Sequence, residues 1–263
     1  MALSTNVFSV PRVSLRCMYV WRRNFLVWRK LIVPSILGNL ADPLLYMLGF
    51  GYGLGALLHQ MNGVPYIAFI AAGIVCSSTM TTASFEAMYS GFSRMHVQRT
   101  WDAILNAPLT LDDVVSAEIL WAASKATLSG VTVLLVAAAL GLVQSLLALW
   151  VIPLALLTGL TFASLGLVMT AVSPSYDFFL YYFTLGITPM MLFSGVFFPL
   201  EQLPHALQTA ANLLPLAHAV AVARPLMNDA MPAGLIGHLA MLIGYGLAGS
   251  FLALTLTRRR LLN

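Results

Sequence analysis

The stretch Leu147–Val172, LALWVIPLALLTGLTFASLGLVMTAV, decides the fold. It contains no Asp, Glu, Lys or Arg. A helix needs about 20 such residues to cross the hydrocarbon core of a bilayer. The apolar residues run on continuously and do not alternate with polar ones, as they would in a strand of a membrane β-barrel. The stretch therefore predicts a transmembrane α-helix.

The rest of the chain repeats this pattern. Of its 263 residues, 60% are hydrophobic and 8% are charged, whereas about a quarter of the residues in a soluble domain are charged. The mean hydropathy is +0.88. We therefore predict an all-α integral membrane protein with six transmembrane helices in a single domain, residues 1–263. The six predicted spans are Val33–Ala56, Val64–Tyr89, Asp112–Leu140, Leu147–Val172, Phe178–Phe198 and Ala233–Thr257.

The basic residues predict the orientation. Eleven of the thirteen Lys and Arg residues fall in three groups, within Arg12–Lys30, at Arg94 and Arg99, and at Arg258–Arg260. With six spans, all three groups lie on one side of the membrane. The positive-inside rule makes that side cytoplasmic, so both termini are expected there. Topology thus accounts for the pI of about 9.3, and we expect no nucleic-acid partner, because the chain lacks a solvated basic face.

An amphipathic helix is predicted before the first span, over residues 11–32. Cys17, Trp21, Phe25, Trp28 and Ile32 recur at helical spacing and form an apolar stripe, which is typical of a helix lying in the membrane interface. Its basic residues fall on the other side and face anionic lipid or a protein partner. A lipid anchor and a partner-docking helix remain open alternatives. Its candidate residues are Arg16, Trp21, Arg23 and Trp28.

The polar stretch Arg94–Pro108, RMHVQRTWDAILNAP, separates the second and third spans. Apolar residues including Trp101 and Ile104 share one helical face, which predicts a short amphipathic helix across the membrane surface. Either a soluble partner grips Trp101 as an anchor and is oriented by the neighbouring charges, or the helix is held by lipid alone. The spacing does not decide between these two.

Four blocks of sequence carry a family resemblance. The run from Arg99 to Trp121, RTWDAILNAPLTLDDVVSAEILW, resembles the loop between the second and third spans of ABC-2 type permeases, an exporter family. Three further blocks are similar, in order along the chain, to the lipo-oligosaccharide permeases of that family, typified by nodulation protein J. They are WRRNFLVWRK with DPLLYMLGFGYGLG, MLFSGVFFPLEQLP and LLPLAHAVAVARPL.

The resemblance implies the permease subunit of an ATP-binding cassette exporter in a bacterial inner membrane. Such a permease works as a dimer and is powered by a separate ATPase subunit resembling nodulation protein I, which binds ATP and Mg²⁺. The implied cargo is an amphiphilic glycolipid such as a lipochitin oligosaccharide. The chain itself has no phosphate-binding loop, because neither Lys30 nor Lys125 follows a glycine; we expect no cofactor or metal in it. By resemblance, residues 94–108 are the helix that couples to the ATPase, with Arg94, Arg99, Trp101 and Asp102 as the coupling residues.

Five ionisable residues lie within or close to the predicted spans, where charge is costly and usually functional. They are Asp42, Glu86, Glu118, Lys125 and Asp177. Glu118 and Lys125 share a helical face, which suggests pairing through a neighbouring helix. Asp42–Pro43 is either a kink within the first span or the N-cap that starts it. For Glu86 and Asp177 we favour a position near the cytoplasmic boundary.

The proline-rich segment 199–232 predicts a broken, re-entrant hairpin at the outer end of the export path, which is tolerated at membrane depth where protein covers it. His218 and Arg224 there either contact a polar part of the substrate or serve packing and capping. Four tyrosines are candidates for a sugar path, with lipid-facing or core positions as the alternative. They are Tyr46, Tyr52, Tyr181 and Tyr182.

Three other functions are conceivable for a helical membrane protein of this composition. Export of another lipid, a polysaccharide or a drug fits the same family. An intramembrane transferase needs a convergent set of bases and nucleophiles, yet the five histidines are scattered without metal-ligand or triad-like spacing. A secondary transporter usually shows internal repeats, and none is evident. An ATP-driven permease is therefore the leading hypothesis.

Overall fold

A computed structural model describes residues 14–58, 60–61 and 63–262 of the chain. Within these residues the protein is almost entirely helical, as the sequence predicts. A two-stranded antiparallel hairpin pairs Gln60 with Pro65 and Met61 with Val64. Residues 11–13 of the predicted interfacial helix lie outside the described residues.

The helices follow in chain order, with the strands between the third and fourth. They are α1 Cys17–Trp28, α2 Ile32–Gly53, α3 Gly55–Leu58, β1 Gln60–Met61, β2 Val64–Pro65, α4 Tyr66–Phe85, α5 Thr100–Leu105, α6 Leu111–Ala139, α7 Val151–Val172, α8 Asp177–Tyr182, α9 Thr188–Phe193, α10 His205–Ala211, α11 Pro215–Met227 and α12 Leu235–Leu262. Short 3₁₀ turns lie at Arg29–Leu31, Leu146–Trp150 and Leu200–Gln202, and π-helical turns at Glu86–Ser90, Ser93–Val97 and Phe183–Ile187.

Five helical stretches are long and apolar enough to cross a membrane, in the part of the chain that the structure describes. They are Cys17–Leu58, Tyr66–Val97, Leu111–Ala139, Leu146–Val172 and Leu235–Leu261. These match five of the six predicted spans. The first, at 42 residues, has a length of about 63 Å at 1.5 Å per residue, twice the hydrocarbon thickness of about 30 Å. Part of it must therefore extend beyond the core of the bilayer.

The remaining predicted span, Phe178–Phe198, differs in the structure. Its helix covers Asp177–Phe193, 17 residues, and stops before Ser194. At about 25 Å it is shorter than the hydrocarbon core. The following segment, predicted as a re-entrant hairpin, holds α10 and α11 at an angle of 88° to each other. Counting that bent pair as one span brings the candidates to six.

The core of the bundle lies between α4, α6, α7 and α12. Most of α4 is buried on all sides, whereas the long first helix is largely exposed. Helix α6 begins with a capping box in which Thr110 and Asp113 satisfy each other's backbone N–H groups. Helix α11 begins with Pro215 at its first turn, where a proline costs no hydrogen bond.

The two ends of the bundle differ in composition. We call one the basic end, because Arg16 donates to the carbonyl of Pro108 there and Arg258 pairs with Asp112. We call the other the hairpin end, which holds the β1–β2 hairpin (residues 60–65) together with α10 and α11. The chain enters and leaves the described structure at the basic end.

A turn at residues 194–197 inserts into the bundle against α4. Val196 is fully buried, and a Cβ on Gly73 would lie 2.7 Å from both the Cα and the carbonyl oxygen of Val196. The hydroxyl of Tyr66 donates to the carbonyl of Phe197 across 3.1 Å. Irregular backbone thus lies against a helix where protein covers it, as membrane depth requires.

Replacing this glycine is expected to displace the turn. Gly73→Ala should destabilise the folded protein by about 1–3 kcal/mol, because the new methyl group overlaps backbone atoms, which cannot rotate away. Gly53→Ala is the matched control, since a Cβ at that helical glycine meets nothing within 4 Å. Equilibrium unfolding in detergent micelles measures both variants. Equal stability of the two would show that the turn yields freely.

Candidate functional site

A cluster of four charged side chains lies buried near the basic end. Glu86 and Arg94 come from the end of the second span, and Glu118 and Lys125 from α6. Arg94 bridges the carboxylates, with its Nη1 3.0 Å from Glu86 Oε1 and its Nε 3.0 Å from both oxygens of Glu118. Lys125 Nζ lies 2.8 Å from Glu86 Oε2. The four form one chain of ion pairs in the order Lys125, Glu86, Arg94, Glu118.

Neutral donors complete the coordination of both carboxylates. The indole of Trp121 donates to Glu86 Oε1 across 2.8 Å, and Ser90 donates to Glu86 Oε2 across 2.9 Å. The indole of Trp101 and the amide of Asn24 donate to Glu118 Oε1, at 3.3 and 3.2 Å. Buried charges are tolerated when they are paired and fully hydrogen-bonded, and both carboxylates meet that condition.

Local backbone geometry places these groups together. Glu86 and Arg94 stand in two successive π-helical turns, Glu86–Ser90 and Ser93–Val97. Such turns insert an extra residue into a helix and are frequent at functional sites. Arg99 then adopts a left-handed conformation, with φ of 49°, which ends the span and redirects the chain into α5.

The cluster separates two cavities. The inner cavity, of about 370 Å³, lies among α2, α4, α6 and α9. The basic-end cavity, of about 450 Å³, lies among α1, α6 and the end of the second span. Glu86 and Lys125 line both cavities. Their ion pair therefore stands at the boundary between the basic end and the interior of the bundle.

The predicted coupling residues divide into two groups. Trp101 is only 1% exposed and Arg94 belongs to the cluster, so neither side chain is presented for a partner to grip. Their burial follows from the hydrogen bonds that both make to Glu118. Arg99 and Asp102 are exposed at the basic end. Residues 94–108 also do not form one helix, because only Thr100–Leu105 is helical after the break at Arg99.

The aromatic stripe of the N-terminal helix packs on protein. Trp21 donates to Ser124 of α6 across 3.1 Å, and both Trp21 and Trp28 make edge-to-face contacts with Trp121. Arg23 donates to Asn24. The tryptophans of the stripe bury a face of α1 against α6, because Trp121 and Ser124 offer an aromatic and a polar partner there.

The other candidate residues are dispersed. Asp42 does not start a helix, because α2 runs unbroken through Pro43. Glu86 is buried in the cluster, whereas Asp177 is exposed in the first turn of α8. Arg224 lies 3.7 Å above the ring of Phe69 and donates to its carbonyl.

Of the two outer candidates and the four tyrosines, one lines the inner cavity. Tyr46 does so, while Tyr52 and Tyr181 are exposed elsewhere and Tyr182 packs against the core.

His218 shares a hydrogen bond with His238, Nδ1 to Nδ1 across 2.7 Å, and its Nε2 lies 2.9 Å from the carbonyl of Asn212. The structure thus places His218 in a contact between α11 and α12.

Sequence reasoning missed two sets of polar residues. Asn24, Ser90 and Trp121 complete the cluster, and nothing in their spacing signals it. The second set lines the inner cavity and could have been found from the sequence. Its members recur one turn apart within an apolar span and so share a helical face; they are Ser77, Ser78, Thr81 and Thr82.

Comparison with known proteins places the chain in a family. The sequence profile of the ABC-2 type transporter matches residues 16–228. The chain is 48% identical to nodulation protein J of Rhizobium leguminosarum bv. trifolii, over 98% of both chains. It is 46% identical to nodulation protein J of Rhizobium meliloti strain 1021, over 97% of this chain and 98% of that protein.

A more distant relative is similar over a smaller part of the chain. The inner membrane transport permease YadH of Escherichia coli K12 is 26% identical over 74% of each chain. The profile match and the near full-length similarity to several nodulation J proteins agree with the helical membrane bundle described above. The chain belongs to the ABC-2 type transporter family, as a membrane permease homologous to nodulation protein J.

Proposed function

We propose that the protein is the permease subunit of an ATP-driven exporter that moves an amphiphilic glycolipid, such as a lipochitin oligosaccharide, out across the bacterial inner membrane. The observation that carries this proposal is the inner cavity. Hydroxyl, amide and carboxylate groups line it together with apolar side chains. A cargo with a polar head and an acyl chain suits such a space. The nearly full-length similarity to nodulation protein J supports the choice of cargo.

The proposal assigns the basic end to the cytoplasm, in keeping with the positive-inside rule. Both termini then lie in the cytoplasm, and segment 199–232 lies at the outer end. A separate nucleotide-binding subunit, resembling nodulation protein I, binds ATP and Mg²⁺, and this chain holds no cofactor of its own. A second copy of the chain completes the export path.

Helix α5 is the element through which the ATPase acts in this proposal. Asp102 is exposed on this helix and Arg99 is exposed just before it, while Trp101 on its buried side donates to Glu118 of α6. A partner that moves α5 therefore pulls on the ion-pair cluster. Arg99 and Asp102 are the contact residues, and Arg94 and Trp101 transmit the movement.

Reversing the two exposed charges tests this contact. Arg99→Glu with Asp102→Arg should weaken binding of the ATPase subunit about 30-fold, corresponding to roughly 2 kcal/mol for an interface hot spot. Glycolipid-stimulated ATP hydrolysis should fall with it. Co-purification and ATPase assays of the two subunits measure both effects.

Glu201→Arg is the control. Glu201 is exposed, and it belongs to the segment at the hairpin end, whereas α5 lies at the basic end. This control should leave both readings unchanged. Wild-type affinity in the Arg99 and Asp102 variant would refute the assignment of α5 as the contact. Export that proceeds without nucleotide would refute the proposed function itself.

Another cargo within the same family is the alternative. A cationic drug or a different lipid would use the same inner cavity, because the carboxylate of Asp42 lines it. Competition between an acylated chitin oligosaccharide and a quaternary-ammonium amphiphile for transport distinguishes them. Preference for the ammonium compound would replace the glycolipid as cargo.

A further inference from the structure

Two histidines join α11 to α12 at the hairpin end. His218 and His238 are each the fourth residue of their helix. Their Nδ1 atoms lie 2.7 Å apart, so the two imidazole rings share a hydrogen bond. The hydroxyl of Tyr245, two turns after His238 on α12, donates to the carbonyl of Leu213 across 2.7 Å. These hydrogen bonds hold the beginning of α11, and the turn before it, against one face of α12.

The partners of the two rings determine which nitrogen carries each proton. His218 Nε2 lies 2.9 Å from the carbonyl oxygen of Asn212. A carbonyl only accepts, so this nitrogen carries a proton and donates. In the neutral ring, Nδ1 of His218 then has no proton, and it accepts the hydrogen bond from Nδ1–H of His238. Nε2 of His238 is left to take up a further proton.

This arrangement accommodates one additional proton but not two. The first adds to Nε2 of His238 and leaves the bond between the rings in place. The second must add to Nδ1 of His218, where it takes the lone pair that accepts this bond. Two N–H groups then meet across 2.7 Å, and the two positive charges repel each other. Double protonation is therefore incompatible with the contact.

The elements packed against α11 and α12 near this contact supply no carboxylate to offset a second positive charge. They are α4, α7, α9 and the turn Leu146–Trp150, whose sequences contain no Asp, Glu, Lys or Arg. Helix α6 also contacts α12, and its charged residues lie between its start at the basic end and its middle; they are Asp112, Asp113, Glu118 and Lys125. The first turns of α11 and α12 hold no acidic residue, and helix N-termini disfavour a cation.

The other titratable or charged groups at this end of α4, α11 and α12 are committed to backbone carbonyls or buried elsewhere. They are Tyr66, which donates to Phe197, Arg224, which donates to Phe69 and Gly195, Tyr245, which donates to Leu213, and the buried Cys76. The acidic residues nearest in sequence, Glu201 and Asp229, are exposed, where solvent screens their charge. The protons on the two imidazoles therefore determine the charge of this contact.

We propose that His218 and His238 form a proton-sensitive clasp, which holds α11 to α12 at neutral pH and opens when both imidazoles are charged. Both side chains are half-buried, so protons reach them from solvent. Free imidazole takes up a proton near about pH 6.5, and the clasp opens below that, because the closed form has no site for the second proton. Helix α11 also holds the turn at residues 194–197, since Arg224 donates to the carbonyl of Gly195. Opening of the clasp therefore acts on that turn.

The distance between spin labels on the two helices tests the clasp. Leu213→Cys and Ile236→Cys place one label beside the start of each helix, on side chains that are 60% and 84% exposed. The native cysteines are buried and remain unlabelled. With the full-length chain in lipid nanodiscs, electron–electron double resonance measures the distance between the labels from about pH 7.5 to about pH 5, the range in which histidine changes charge.

The labelled chain with both histidines should show one short distance near neutral pH and a second, longer one in acid. Because opening takes up one proton, the ratio of open to closed molecules should rise about tenfold for each unit by which the pH falls. His218→Gln and His238→Gln each leave a single imidazole, so in these variants the ratio should change by less than about twofold over the whole range.

Nuclear magnetic resonance gives a second reading that packing alone would not produce. The shared bond should show a nitrogen–nitrogen coupling between the two Nδ1 atoms in detergent micelles near neutral pH, and this coupling should vanish in acid. His205→Gln is the matched control for both readings, since it removes an exposed histidine of α10 at the same end. It should retain the tenfold change per pH unit and the coupling.

Either of two results would overturn the clasp. One is a distance that does not change in acid when both histidines are present. The other is an acid-induced change that persists in His218→Gln and His238→Gln, because other groups would then cause it. The measurements need neither an ATPase subunit nor a cargo, so their outcome is separate from that of the proposed function.

Discussion

Arg94→Gln is expected to lower the free energy of unfolding by about 3–5 kcal/mol, the usual effect of removing one partner from a buried ion pair. The guanidinium lies between Glu86 and Glu118, and its loss leaves Glu118 without its ion-pair partner and Glu86 paired with Lys125. The end of the second span and α6 should then separate. Equilibrium unfolding of the purified chain in detergent micelles measures the loss.

A second substitution tests whether charge is the cause. Adding Glu118→Gln to Arg94→Gln restores a neutral cluster and should recover part of the lost stability. Arg22→Gln removes an exposed arginine near the same end and should change stability by less than about 0.5 kcal/mol. A double variant less stable than Arg94→Gln alone would mean that packing of the guanidinium, not its charge, stabilises the site.

Arg258→Met is expected to be nearly as severe, with a loss of about 3–5 kcal/mol. Arg258 of α12 is buried and its Nε lies 2.9 Å from Asp112 Oδ1, in the first turn of α6. This pair ties the last helix to the third span at the basic end. The variant leaves the carboxylate of Asp112 in a buried position without its guanidinium.

The matched control for Arg258 is Lys30→Met, which removes an exposed cation at the same end. Asp112→Asn in the Arg258→Met background should restore part of the stability, and the four proteins together give the coupling energy of the pair. Proteolysis of the C-terminal residues should quicken in Arg258→Met if α12 detaches. Resistance equal to that of the wild type, with unchanged unfolding, would show that the pair contributes little.

The long apolar stretches were predictable because their physical cause is local. A run such as Val151–Val172 must be helical in lipid whatever its neighbours, and its bounds in the structure agree with the predicted span. The helix of the fifth predicted span ends at Phe193, before the predicted end at Phe198, although the apolar composition continues between them. The end there involves Gly195, whose φ of 75° and whose carbonyl, which accepts a hydrogen bond from Arg224 of α11, are features of tertiary packing.

The candidate site was predictable in its members but not in its arrangement. Glu86, Glu118 and Lys125 stand out as charges within apolar runs. That Arg94 joins them could not be read from the sequence, because its position depends on two π-helical turns that shift the helical register. Trp101 shows the same difficulty. A tryptophan on an amphipathic segment has the same spacing whether it faces a partner or donates to a buried Glu118.

The ion-pair cluster also bears on how the protein responds to voltage. Glu86 and Glu118 together carry two negative charges, and Arg94 and Lys125 carry two positive ones. Moving a single charge across a membrane potential of 100 mV costs about 2.3 kcal/mol, whereas a group that sums to zero and moves as a unit does no net electrical work. When the cluster shifts as a unit along the membrane normal, these four charges therefore add no dependence on the membrane potential to that step.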